Sequence, residues 1–229
     1  MTRHIDQQLN TLAESDYKAF NEKIINTGYP VLGVRMPALK KLAKELSSDP
    51  KIETWLNNAE FTTYEHILLY GLVLGNLKKL PLDKLFSYLD PLILKFDNWA
   101  HVDTLISAFK QFGKQPEKVF EHFLPLKYDE GEFTKRTFVI FLMDYYMDET
   151  HIDMALNHMK ETPQGQYYVD MAIAWAISVG LVKFYDRTLP YLKQQTFSKF
   201  VHNKAIQKAR ESYRLTPQTK ELLNQLKIK

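Results

Sequence analysis

Residues 166–183 read QYYVDMAIAWAISVGLVK. Apolar residues recur in this stretch at helical spacing, with no sustained alternation at period two, so the spacing predicts a helix. Four other stretches look like it: FTTYEHILLYGLVLGNL, NWAHVDTLISAFKQFGK, EFTKRTFVIFLMDYYMD and KFVHNKAIQKARESYR. The five begin at residues 61, 98, 132, 166 and 199, so they lie 37, 34, 34 and 33 residues apart. Each is followed by a shorter helical stretch: PLDKLFSYLDPLIL, PEKVFEHFLPL, HIDMALNHMK, KFYDRTLPYL and PQTKELLNQL. A helix pair recurring at this period cannot bury its apolar stripe alone, but stacked neighbours can, which is the signature of a helical-repeat array. The expected fold is all-α, a HEAT-like helical-repeat (ARM/HEAT-type) curved solenoid. It is read as one domain over 1–229, with N-terminal cap helices at 1–58 and five helix-pair repeats at 59–229. Within the cap, one long polar-faced helix is expected from about Asp6 to Asn26, and another after Pro37.

The bulk numbers agree with a packed protein. The chain has 229 residues, is 45% hydrophobic and contains eight glycines, which excludes a disordered or collagen-like class. It has no cysteine, so disulfide frameworks and thiolate chemistry are excluded. No stretch approaches the roughly 20 apolar residues that span a bilayer, and MTRHIDQQLN lacks the apolar core of a signal peptide. The expected setting is therefore cytoplasmic, with no membrane partner. Net charge is only +3, but its distribution is uneven. From Lys199 onward the basic residues are Lys199, Lys204, Lys208, Arg210, Arg214, Lys220, Lys227 and Lys229, against Glu211 and Glu221. Such a surface suits phosphate, although a solvated helix pair has the same composition.

Equivalent helices in a repeat array lie side by side, so matching positions form rows. Trp99 and Asp103, Arg136, Asp170 and Trp175, and Asn203 and Lys204 take similar places in successive long helices. Offsets of three and four share one helical face. Two indoles, one carboxylate and one guanidinium can thus share a patch across three repeats. Taken singly, each has a plainer reading: tryptophan as core, Asp103 as a first-turn carboxylate favoured by the helix dipole, and Arg136 and Lys135 as surface charge. The seven histidines form no metal-spaced pair, and no phosphate-binding glycine loop or serine-nucleophile motif is present, so no metal or cofactor is expected.

The ordered segments YPVLGVRMPALKKLAKE, NWAHVDTL, FTKRTFVI, YYVDMAIAWAI and HNKAIQKARES carry a family resemblance. Together they make the chain resemble the AlkD-like DNA alkylation repair proteins, HEAT-like-repeat DNA glycosylases, over most of its length. The resemblance implies a basic concave surface for double-stranded DNA. It also implies hydrolysis of the N-glycosidic bond of cationic N3- and N7-alkylpurines, which stay stacked instead of being extruded. The family's catalytic aspartate falls on Asp103, its tryptophans on Trp99 and Trp175, and its arginine on Arg136. Lys135, Lys204, Lys208 and Arg210 are read as further DNA-binding residues, and the protein as a monomer.

One departure is local. Active relatives carry a short helix with a tyrosine just upstream of the LG-x-x-x-P segment. Here that stretch is EKIINTGYPVLGVRMP, with Ile25 near the tyrosine's place, and Gly28 and Pro30 predict no helix between Thr27 and Val31. The chain thus resembles a subgroup that keeps the cleft residues and lacks the recognition helix. Two alternatives remain: a DNA-binding relative with little or no catalysis, and a helical-repeat scaffold for protein partners.

Overall fold

A computed structural model of the chain describes residues 2–229. The described residues form an all-α helical-repeat fold, with no strand beyond an isolated antiparallel bridge between Ala13 and Val34. They divide into two compact units, Met1–Pro116 and Glu117–Lys229.

The first unit opens with α1 (Thr2–Leu12), α2 (Ser15–Ile24), α3 (Met36–Leu46) and α4 (Ile52–Asn58). The helix expected over Asp6–Asn26 is therefore two helices. The break has a tertiary cause. The Glu14 N–H donates to the Gly33 carbonyl at 3.0 Å, and Ala13 bridges Val34. Gly33 sits at φ +91°, and a Cβ there would lie 2.5 Å from the Glu14 carbonyl oxygen, so only glycine lets the two backbones meet. Residues 25–35 contain no helix, as Gly28 and Pro30 predict. The helix expected after Pro37 is α3, with that proline in its first turn, where its missing N–H costs nothing. α4 is a further helix before the repeats.

The first repeat is α5 (Tyr64–Asn76) and α6 (Leu82–Ile93). α5 packs between α3 and α7 (Trp99–Ile106), burying Ile67, Leu68 and Leu69. α7 is shorter than its segment predicts. The Ser107 hydroxyl folds back within reach of the Asp103 and Thr104 carbonyls, at 3.2 and 3.1 Å. The chain then tightens into a 3₁₀ turn at Lys110–Lys114, with Phe109 and Phe112 buried.

The second unit continues from α8 (Pro116–Phe123) through α9 (Glu132–Tyr145), α10 (Ile152–Glu161), α11 (Tyr167–Lys183), α12 (Tyr185–Lys193), α13 (Lys199–Glu211) and α14 (Pro217–Gln225). α11 packs on both α9 and α13. Coverage from two sides explains why 166–183 is apolar around most of its circumference instead of along one stripe. Val169, Ala172, Ile173, Ala176, Ile177 and Leu181 are all fully buried. Burying a large aliphatic side chain contributes about 1.5–3 kcal/mol, so buried area is the main hold of α11 on the unit. Among the described residues no helix is long and apolar enough to cross a membrane.

Candidate functional site

In the first unit, the site residues stand on a clasp between residues 27–28 and the start of α7. Asn98 caps that helix: its side-chain oxygen accepts the Ala100 and His101 N–H groups at 2.9 and 3.1 Å. Asp97, one residue earlier, accepts the Thr27 hydroxyl (2.7 Å to the nearer oxygen), the Gly28 N–H (2.6 Å) and the Asn98 side-chain amide (2.8 Å). The Nδ1 of His101 lies 3.3 Å from the same carboxylate. That ring is fully buried and stacked on Tyr64 at 4.8 Å. Burial by itself raises the Asp97 carboxyl. The bonds from His101, Thr27, Gly28 and Asn98 outweigh it and hold the group at about 2.

The clasp fixes the direction in which α7 leaves. Trp99 is the first residue of that helix and Asp103 lies one turn further along; both are half-buried.

The Asp97 clasp has a pH signature. Its folded value lies below the ordinary 3.8, so its stabilisation is fully present above about pH 4 and is lost as pH falls toward 2. Allowing for screening of a partly exposed group, Asp97→Ala should cost about 1–2 kcal/mol at neutral pH, and much less at pH 2. Urea unfolding at both pH values checks this. An equal loss at both would mean that ionisation of Asp97 does not matter.

In the second unit, α9 latches the start of α11. Glu132 accepts the Tyr168 N–H at 2.6 Å, while Arg136 Nη1 donates to the Tyr168 carbonyl at 2.6 Å. One residue is thus held through both of its backbone groups. Lys135 Nζ donates to the Gln166 side-chain oxygen at 2.7 Å. Lys135 and Arg136 are both buried, at 7% and 5% exposure, so neither is the loose surface charge its composition suggests. Asp170 accepts the Gly165 N–H at 3.0 Å; burial, with Glu132 nearby, raises its carboxyl above the ordinary range against the opposing pull of that bond and of Lys135.

Trp175 is 37% exposed on a helix that is otherwise mostly covered, whereas Trp55 is 4% exposed. Core packing accounts for Trp55 and not for Trp175. It lies seven residues, or two turns, from Tyr168, on the same face.

Further along the unit the basic residues have separate surroundings. Lys204 reaches the Gln207 side chain at 2.9 Å and borders a groove of about 670 Å³. Lys208 lines a smaller cavity of about 230 Å³ with Ser178, Lys183 and Arg214. Arg210 donates to the Asn224 side chain of α14 at 2.9 Å, which ties the last helix pair together. Trp99 and Asp103 belong to the first unit, and Lys135, Arg136, Trp175, Lys204, Lys208 and Arg210 to the second.

Two anchoring carboxylates, Asp97 and Glu65, escape the row-by-row reading of the sequence. Asp97 carries a weak local signal, since it directly precedes a helix-capping Asn98. Glu65 carries none, because its partners lie more than thirty residues away. Among the described residues no cluster of three or more histidine, aspartate or glutamate side chains could hold a metal ion.

None of the curated proteins compared matches the chain. Residues 5–213 match the family described as "DNA alkylation repair enzyme", which covers all five long helices. The chain belongs to that family.

Proposed function

We propose that the protein binds double-stranded DNA and hydrolyses the N-glycosidic bond of cationic N3- or N7-alkylpurines, with Asp103 as the central carboxylate. The observation that carries this reading is the exposed Trp175 on a covered helix, taken with family membership. An alkylated purine already bears positive charge, so its departure needs little proton donation. As the C1′–N bond breaks, its electron pair leaves with the base and neutralises it, while the sugar becomes oxocarbenium-like. A carboxylate stabilises that developing charge and positions the water whose oxygen then bonds C1′. An indole face attracts a cationic nucleotide, which is the role the family resemblance gives to Trp99 and to Trp175. Of the DNA-binding candidates, Lys204 and Lys208 are assigned to the duplex backbone, while Arg136 and Lys135, buried and bonded to Tyr168 and Gln166, set the footing of the helix that carries Trp175, and Arg210 braces the last helix pair. The cytoplasmic, monomeric state expected above completes this reading.

The test is release of free base from duplex carrying N7-methylguanine or N3-methyladenine, at high protein excess and beside a heat-treated control. Release above the control is the expected result. Release equal to the control ends the catalytic part of the proposal.

A second reading is favoured by the non-helical course of residues 25–35, where the family resemblance implies a tyrosine-bearing helix in active relatives. In it the chain grips DNA without cutting. Salt-dependent duplex binding with no base release is its signature.

A further inference from the structure

Three consecutive long helices of the second unit begin with an aromatic residue in the first turn, and the rings touch. Phe133 of α9 lies 5.1 Å from Tyr168 of α11, Tyr168 lies 5.2 Å from Tyr167, and Tyr167 lies 6.0 Å from Phe200 of α13. The row is not core. Tyr167 is 59% exposed and Phe200 41%. Its Phe200 end opens onto the 670 Å³ groove, lined by Lys199, Asn203, Lys204, Gln207 and Lys227 beside Phe200 itself. The acid on the row, Glu132, is occupied by the Tyr168 N–H. Three helix N-termini add partial positive charge along the same edge.

Exposed aromatic rings beside lysines do not match what a closed duplex offers. Its bases stack on one another and present only edges and phosphates to a protein. Unpaired bases present π-faces joined by phosphates, the combination that an aromatic row next to a cationic groove accepts.

We infer that the Phe133–Tyr168–Tyr167–Phe200 row and the Lys199/Lys204/Lys227 groove form a second nucleic-acid site, which takes unpaired nucleotides of a single strand by stacking. The site lies wholly within the second unit and uses neither Asp103 nor Trp99. It rests on the nucleic-acid reading above in taking phosphate as its partner and in sharing Lys204 with it, which is why the aromatic pair and not Lys204 separates the two. Bases stack on Tyr167 and Phe200, and the three ammonium groups neutralise the phosphate between them and those that follow along the groove.

Fluorescence anisotropy with a labelled short oligothymidine tests it. The comparisons are an abasic oligonucleotide of equal length and a blunt hairpin duplex. Oligothymidine should bind more tightly than the abasic strand. Its log–log salt dependence should have a slope of about −2 for three phosphates, shallower by about 0.7 in Lys204→Gln. Replacing Tyr167 and Phe200 together by Ala should weaken oligothymidine binding about tenfold or more and leave hairpin binding unchanged, whereas Tyr167→Phe should retain affinity. Both positions are exposed, so an unaltered urea midpoint verifies the fold of the variants. Equal binding of abasic and base-bearing strands, or an unaffected double variant, overturns the stacking site. If the hairpin is bound and oligothymidine is not, this inference fails and the duplex reading stands. If neither is bound, both fail.

Discussion

Asp103→Asn should lower base release from alkylated duplex by about a hundredfold to a thousandfold, equivalent to about 2.7–4 kcal/mol of transition-state stabilisation. The substitution removes one negative charge and almost no volume. Asp103 sits past the cap of α7, whose first turn is satisfied by Asn98 and not by Asp103, so the helix should survive. Duplex affinity should be unchanged or slightly improved, because a carboxylate repels phosphate. The measurement is single-turnover release of N7-methylguanine beside duplex binding by anisotropy, for both proteins. Wild-type rates in the variant would remove Asp103 from the chemistry. Loss of release together with loss of duplex binding would show that the substitution acts through the structure of α7.

Glu65→Ala should reduce stability by about 3–5 kcal/mol, because it orphans three buried or half-buried backbone donors and opens a void. Glu65 is fully buried in the first turn of α5. Its carboxylate accepts the Leu32 N–H at 2.9 Å, the Gly33 N–H at 2.7 Å and the Val34 N–H at 3.2 Å. Those amides belong to a segment with no helix or sheet of its own, so the side chain stands in for a ladder. Glu65→Gln separates charge from shape. An amide oxygen at the position that serves Gly33 and Val34 keeps two bonds, while the amide nitrogen then faces the Leu32 N–H. The Gln variant should therefore lose about 1–3 kcal/mol, less than Ala. Urea unfolding and hydrogen exchange at residues 32–34 read both effects. A loss under about 0.5 kcal/mol for Ala, the scale of an ordinary surface substitution, would show that other contacts hold the segment.

How much of the fold was legible in the sequence depends on range. The five long helices start within three residues of the positions their segments predict, because apolar periodicity is local and repeated. Absence of a helix over 27–31 was equally readable, since Gly28 and Pro30 act through their own backbones. The break at Ala13–Glu14 was not, because it is made by Gly33 twenty residues on. The early end of α7 depends on a serine hydroxyl turning back, which spacing does not report. For the site, the residue types were readable and their surroundings were not. Nothing in KRTFVI says that Lys135 and Arg136 are buried against the first turn of α11. The aromatic row was hidden because its members sit at helix starts, where a tyrosine or phenylalanine reads as the edge of a core.

The Asp97 clasp also constrains how this chain can change over generations. One carboxylate serves two traits, the course of residues 27–28 and the footing of Trp99. A variant that formed a helix across this stretch would withdraw the Thr27 hydroxyl and Gly28 N–H from Asp97. A half-buried anion would then be left with fewer donors beside the cap of α7. The helix and a new residue at 97 are therefore epistatic: each is costly without the other.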